Sequence, residues 1–378
     1  MGGSGDDCNL DSAERSPSFS LNRDFTSPAW RQPIGRPAAL NEANSGQCLS
    51  RPGFVAYWTV KTSPKLSTGP EFMNYSILSF FLPFTRYPYE GQDVPCPGCG
   101  HGAKTRLAGI DRRLKRLTTV ACDHCGLLYT SPMPSDVELE AYYADFYRFD
   151  YQAASTVPKE KHLAKRRVEA ANRVKQLEGL LPENARTLDF GCGSGEFVTA
   201  MLALGHDAHG FEPGETYGNH AQSLHGDRIT IKGWQQVSYP ERFDLVSCFH
   251  VVEHLSNPVD ALRQMAAWSA PDGLVYVEVP DLGTTLNKGF GALHFAHLLG
   301  FNHHNLIVAA ARAGLVPEKV VTPTGIIFRH QAIDEAATEA EAARGAALTQ
   351  RLYGNGKMIS NYFKHQFRKI TGAYKRQG

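Results

Sequence analysis

Apolar positions in the second half of the chain alternate between two rhythms. Short apolar runs of strand length fall at residues 187–190, 208–212, 229–231, 243–248 and 274–279. Between them lie 195–204, 217–224, 258–269 and 303–313, where apolar residues return at the spacing of one helix face. Residues 316–322 and 325–330 then read as a closing hairpin. Strands alternating with helices predict an α/β fold: a mostly parallel sheet covered by helices on both faces.

The region upstream reads differently. Ser135-Asp136-Val137-Glu138 has the form of a capping box and opens a helix bearing Leu139, Tyr142, Tyr143 and Phe146. A second helix is expected over 159–181, with Ala164, Val168, Ala171, Val174, Leu177 and Leu181 on its apolar face. Lys161, Lys165, Arg166 and Arg173 fall outside that face and read as solvated. Residues 1–72 keep neither period and are rich in Ser, Pro, Gly, Asn and Arg. They are expected to be a disordered extension, and Met73 stands as an alternative start. The tail from 333 begins with an Ala/Glu-rich helix and ends with Lys364, Arg368, Lys369, Lys375 and Arg376 among aromatics. It reads as a solvated helix end. The expected organisation is an extension (1–72), a cysteine-bearing lobe (73–134), a helical linker or lid (135–182), the α/β domain (183–332) and a helical tail (333–378).

Charge and cysteine usage narrow the setting. A net charge of +1 supplies no general attraction to nucleic acid, so no nucleic-acid partner is expected. No apolar run is long enough to span a bilayer, so stable membrane insertion is not expected either. The first residues lack the basic-then-apolar order of a secretory signal. Of eight cysteines, Cys8, Cys48, Cys192 and Cys248 are scattered, which is no disulfide framework and predicts a reducing, cytoplasmic setting. Nothing in the pattern sets the oligomeric state.

The other four cysteines form two knuckles, Cys96-Pro97-Gly98-Cys99 and Cys122-Asp123-His124-Cys125, each followed by a glycine, Gly100 and Gly126. Four thiolates at this spacing suit a tetrahedral Zn2+ ion, and with every position filled by protein the metal would be structural. His101 and His124 read as solvent-facing neighbours.

The strand at 187–190 runs directly into Gly191-Cys192-Gly193-Ser194-Gly195 and then a helix. Glycines let a backbone approach a ligand closely, and a helix start favours anionic groups. Asp189 ends that strand and Glu212 ends the next. A carboxylate at the second position can accept hydrogen bonds from both ribose hydroxyls. The loop lacks G-x-G-x-x-G phasing, and a carboxylate such as Asp189 would oppose a pyrophosphate but suit a ligand ammonium group.

Leu188-Asp189-Phe190-Gly191-Cys192-Gly193-Ser194-Gly195 resembles the first motif of class I S-adenosylmethionine-dependent methyltransferases. Phe211-Glu212-Pro213 resembles their second-strand motif. The run from Phe243 to Leu255 resembles their fourth strand and following loop, and Pro271-Asp272-Gly273-Leu274 the turn before the fifth. The likeness covers roughly 136–330. It implies a Rossmann-like sheet with adenosylmethionine as cofactor. It also implies Gly191, Gly193 and Gly195 along the methionine end, Asp189 near the amino group and Glu212 on the ribose. Trp234 and Gln235 fall where the family recognises adenine, although a core role for Trp234 fits as well. The run 122–134 resembles the zinc ribbon that precedes some bacterial small-molecule and sugar methyltransferases.

Methyl transfer from a sulfonium needs an aligned acceptor and, for most acceptors, a base. His250 and Glu253, with His254, follow the fourth strand. His250 reads as the group facing cofactor and substrate, whereas Glu253 and His254 lean structural. His297 lies in a segment resembling the one that carries the base of sugar C-methyltransferases, but Ala296 replaces their acidic residue. Absence of Asn-Pro-Pro-Tyr or Asp-Pro-Pro-Tyr after the fourth strand favours an oxygen or carbon acceptor on a sugar, lipid or secondary metabolite. RNA methylation and a non-catalytic scaffold are the rival readings. Tyr142, Tyr143, Phe146 and Tyr147 are either a roof over the acceptor or plain core.

Overall fold

The computed structural model describes residues 82–146, 158–282, 286–353 and 357–371, so the expected extension at 1–72, and Tyr147, lie outside the described residues. The first named strands among the described residues are three antiparallel ones, β1 (Lys104–Ile110), β2 (Arg116–Cys122) and β3 (Leu128–Thr130). Helix α1 (Asp136–Asp145) follows. The Ser135 side chain accepts from the Glu138 amide while Glu138 reaches back to Ser135, the reciprocal cap expected there.

Helix α2 (Glu160–Gln176) ends sooner than its apolar spacing suggested, because Gly179 takes a left-handed turn at φ +73°. Its faces also differ from expectation. Val168 is 62% exposed, whereas Arg173 is buried. A tertiary partner, described below, draws Arg173 inward.

The α/β region then runs β4 (Arg186–Phe190), α3 (Glu196–Ala203), β5 (Asp207–Phe211), α4 (Glu215–His225), β6 (Ile229–Thr230), β7 (Phe243–Phe249), α5 (Pro258–Trp268), β8 (Ser269–Glu278), β9 (Leu299–Gly300), α6 (His303–Ala311), β10 (Leu315–Thr322) and β11 (Gly325–His330). Seven of these strands make one sheet in the order β10-β11-β8-β7-β4-β5-β6. Strands β4 to β8 within it pair in parallel, and β11 runs antiparallel to both of its neighbours. This is the expected Rossmann-like α/β sheet with a closing hairpin. Leu188, Leu245, Val246, Cys248, Val275 and Val277 are shut from solvent, since helices cover both faces of the central strands. The sheet reverses direction at β4. Ligands of such sheets bind at the carboxyl ends of the strands beside that switch.

Strand β9 leaves the main sheet and pairs with β3, completing the four-strand sheet β1-β2-β3-β9. The cysteine lobe and the α/β region therefore share hydrogen bonds. The tail adds α7 (Glu335–Tyr353) and α8 (Lys357–Ile370). It is not merely a solvated end. Ala342, Gly345, Thr349 and Tyr353 of α7 are buried, and Gly345 packs so closely on the second knuckle that a Cβ there would strike the Cys125 carbonyl.

Candidate active site

The glycine loop follows β4 without a break. Gly191 (φ +73°) and Gly193 (φ +54°) both hold backbone conformations that side chains disfavour. A Cβ on Gly191 would come within 2.7 Å of Val251, whereas one on Gly193 would meet nothing within 4 Å. The first glycine therefore packs and the second faces open space. Gly195 caps the start of α3 in the left-handed conformation.

Two carboxylates flank this loop. Asp189 is buried and accepts from Ser247 Oγ at 2.8 Å. Burial pushes its carboxyl up to about 7, with the Ser247 hydrogen bond working the other way. Glu212 accepts from the Gly193 amide at 3.1 Å and the Gly214 amide at 2.8 Å. Burial raises its pKa too, and those amides oppose the rise. A buried acid suited to a ligand cation and a second suited to paired hydroxyls stand on either side of an open glycine. Trp234 is half-buried in the main core beside Phe190, with ring centroids 6.2 Å apart, and Gln235 is exposed next to it.

Past β7, His250 adopts φ +59°, and its amide donates to the Glu278 carbonyl at 2.8 Å. The turn brings His250 Nε2 to 3.2 Å from Glu278 Oε1. Arg173 meets the same carboxylate at 2.9 Å and lies over the Phe249 ring. Burial alone would raise the Glu278 pKa, but the hydrogen bonds from His250 and Arg173 hold it down at about 2.

A second group sits one turn further on. Glu253 is buried, and neither of its carboxylate oxygens has a hydrogen-bond partner. His250 Nδ1 lies 3.8 Å from it and His254 Nε2 3.7 Å. Burial raises the Glu253 pKa and the two imidazoles pull it back. His254 Nδ1 is 2.5 Å from the Ala296 carbonyl, which places the ring proton there and leaves Nε2 as an acceptor. The Tyr143 hydroxyl is 3.2 Å from the same Nδ1. Glu253, His254 and His297 each bring one donor atom within 4.8 Å of the others, so the group can share a proton or hold a cation. The His297 and His294 rings lie tilted against each other with centroids 4.0 Å apart, and burial drives both pKa values down, that of His297 to about 2. Both line a cavity with Thr119, Tyr129, Leu282 and Leu299. Its walls come from the cysteine lobe on one side and the α/β region on the other.

The four knuckle cysteines gather in the lobe. Their sulfurs lie within 4.8 Å of one another, Cys96 and Cys125 at 3.7 Å and Cys99 and Cys122 at 3.5 Å, and none forms a disulfide. Arg312 donates to the Gly98 carbonyl and Thr349 to the Gly126 carbonyl, so α6 and α7 each hold one knuckle. His101 is exposed. His124 is half-buried and meets Glu339.

A family profile described as a methyltransferase domain matches residues 162–320, the stretch holding the glycine loop, Glu212 and the His250–Glu253 turn. The ubiquinone biosynthesis O-methyltransferase of Actinobacillus pleuropneumoniae serotype 5b (strain L20) is 23% identical over 47% of this chain and 76% of its own length. That of Haemophilus ducreyi is 24% identical over the same shares. This chain is an S-adenosylmethionine-dependent methyltransferase. Among solved structures, the Burkholderia thailandensis 1,6-didemethyltoxoflavin-N1-methyltransferase, with bound S-adenosylhomocysteine, aligns at TM-score 0.42. It is 15% identical over 57% of this chain and 96% of its own.

In the methyltransferase, the residues singled out along the chain fall into three places. Asp189, Gly191, Gly193, Gly195 and Glu212 gather at the loop. His250 and Glu253 lie side by side at the end of β7, and His297 meets them from a distant segment through His254. Trp234 lies in the turn after β6 and packs beside Phe190 of β4, with the exposed Gln235 next to it. Tyr142 is core, packed on Tyr87 and Phe295, while its neighbour Tyr143 reaches His254. Chain order concealed three participants. Arg173 looked like one more solvated charge. Glu278 carried no motif, Ser247 lay in the fourth-strand run with no role of its own, and only the sheet register brings them beside His250 and Asp189.

Proposed function

We propose that this methyltransferase methylates an oxygen or carbon atom of a small acceptor, of the sugar, lipid or secondary-metabolite kind, with His297 as the general base. The observation carrying this reading is the Glu253–His254–His297 group, whose His297 lines the cavity between lobe and sheet. Burial disfavours the charged imidazole and so keeps His297 neutral in the absence of an acceptor. Sugar C-methyltransferases carry an acid one residue before this histidine, where this chain has Ala296. Glu253 brings a carboxylate to the same place from another element, and once ionised it would stabilise the imidazolium formed in the reaction.

Adenosylmethionine supplies the activated methyl group. Asp189 would hold its ammonium group, Glu212 the ribose hydroxyls, and Gly193 would let the backbone come close. His297 would take up the proton that the acceptor gives up on methylation. His250, tied to Glu278, is the positioning residue between cofactor and acceptor and the alternative base. The names of the relatives, O-methyltransferases, favour oxygen.

The four cysteines would hold a structural Zn2+ ion. Tetrahedral Zn–S bonds of about 2.3 Å require sulfurs roughly 3.8 Å apart, and this set meets that spacing with no position left for a substrate. The test of the catalytic reading starts from methyl-labelled adenosylmethionine and fractionated small molecules of the source cell. Once an acceptor is found, His297→Ala should lower kcat at least about a hundredfold with cofactor affinity kept. Full turnover in both His297→Ala and His250→Ala, or label appearing in RNA, would sink the proposal.

A further inference from the structure

We propose that α8 is a docking surface for an anionic lipid bilayer. Its residues Ile359, Phe363 and Phe367 follow one another at every fourth position and so lie in one stripe along the helix. They are 59%, 64% and 68% exposed. Three large apolar side chains in one exposed row are unusual on a surface of otherwise scattered apolar residues.

The helix cannot roll to hide them. Met358 is buried, and Tyr362 stacks on Phe290 with ring centroids 3.8 Å apart. Gly289 and Gly291 let the helix sit this close. A Cβ on Gly289 would run into the Met358 carbonyl, and one on Gly291 would come within 3.2 Å of the Tyr362 ring. The inner face is therefore fixed, and the aromatic stripe is held outward.

Charge names the occupant. Residues 342–378 contain eight Lys and Arg and no Asp or Glu: Arg344, Arg351, Lys357, Lys364, Arg368, Lys369, Lys375 and Arg376. The rest of the chain then holds thirty-one basic residues against thirty-eight acidic ones. The positive charge of a nearly neutral protein is gathered in the stretch of sequence that carries the apolar stripe. Lys364 and Arg368 are exposed on the same helix. An apolar row beside a basic one suits the interface of anionic headgroups and acyl chains. A second copy of the chain would bring the same basic residues against themselves. Among the described residues no helix is long and apolar enough to cross a membrane, so the contact is peripheral.

The docked helix would face the membrane beside the cavity. Its inner face rests on residues 286–292, and Ala292 and Leu293 continue into the cavity wall. An acceptor dissolved in the bilayer would enter from that side.

The experiment is co-sedimentation of the full chain with vesicles of phosphatidylcholine alone and with about one-third phosphatidylglycerol. Binding is expected only to the anionic vesicles and should be lost at high salt. Phe363→Ser with Phe367→Ser should weaken it at least about tenfold. Lys364→Glu with Arg368→Glu should cost about fivefold or more per position. Unchanged thermal melts and cofactor binding in both variants show that the fold is kept. Three outcomes would overturn the proposal: no preference for anionic vesicles, binding indifferent to the Phe substitutions, or self-association or RNA binding that those substitutions abolish without any vesicle binding.

Discussion

Tyr129 pairs with Leu299 across an antiparallel ladder, so the four-cysteine lobe and the segment carrying His297 belong to one sheet. Leu128 pairs with Gly300 alongside them, and Tyr129, Thr130, Leu298 and Leu299 together line the cavity. The lobe is thus part of the wall that seats the proposed base, although its sulfurs touch no reacting atom.

Loss of the Zn2+ ion proposed for the four cysteines should therefore act on turnover before it acts on cofactor binding. Stripping the protein with a chelator, or replacing Cys125 with Ser, is expected to cut methyl transfer more than about tenfold. Calorimetric affinity for adenosylmethionine should stay within about threefold, because Asp189 and Glu212 lie on the other sheet. Equal loss of both would mean that the lobe supports the whole fold rather than the acceptor side.

Cofactor affinity should depend on pH through Asp189. Its carboxyl titrates near 7 in the free protein, above the ordinary 3.8, because it is buried. An ammonium ligand needs the ionised form. Affinity should hold above pH 7 and fall about tenfold for each unit below it. Asp189→Asn should bind weakly at every pH and lose this slope, as isothermal titration across the range would reveal.

Glu212 makes two amide hydrogen bonds at the loop, and ribose hydroxyls would engage the same carboxylate. Hydrogen bonds to a charged group contribute about 1.5–3 kcal/mol, so Glu212→Ala should weaken cofactor binding about ten- to a hundredfold. Glu212→Gln should fall between the two. An unaffected dissociation constant would remove Glu212 from the cofactor site.

Arg173 and Glu278 form a largely buried ion pair. Removing one partner leaves a charge in a poorly solvated place, so Arg173→Met is expected to cost about 3 kcal/mol in urea unfolding. The double change with Glu278→Gln should cost less than the single one. The sign with pH follows from Glu278. Its folded pKa near 2 is below the ordinary 4.5, so its contribution is fully present above pH 4.5 and is lost as pH falls toward 2. Arg173→Met should flatten that dependence.

Much of this protein was legible along the chain, because local rules produce local structure. The strand-then-helix rhythm from residue 187 onward, the capping box at Ser135 and the glycine loop after β4 each rest on neighbours within a few positions. The two cysteine knuckles are equally local, and pairing them needed only their matching form. Tertiary structure alone decided what depends on contacts between remote segments. Arg173 carries a charge on a helix whose spacing says solvent, yet it is buried because Glu278 waits across the sheet edge. Val168, on the nominal apolar face, has no such partner and stays exposed. Glu253 and His297 have no sequence relation at all. They meet because β9 crosses to pair with β3 and carries the histidine segment back against the end of β7. Side-chain periodicity reports which face of an element is apolar. It carries no record of which distant element will cover that face, and in this protein the acceptor side of the site is made of such coverings.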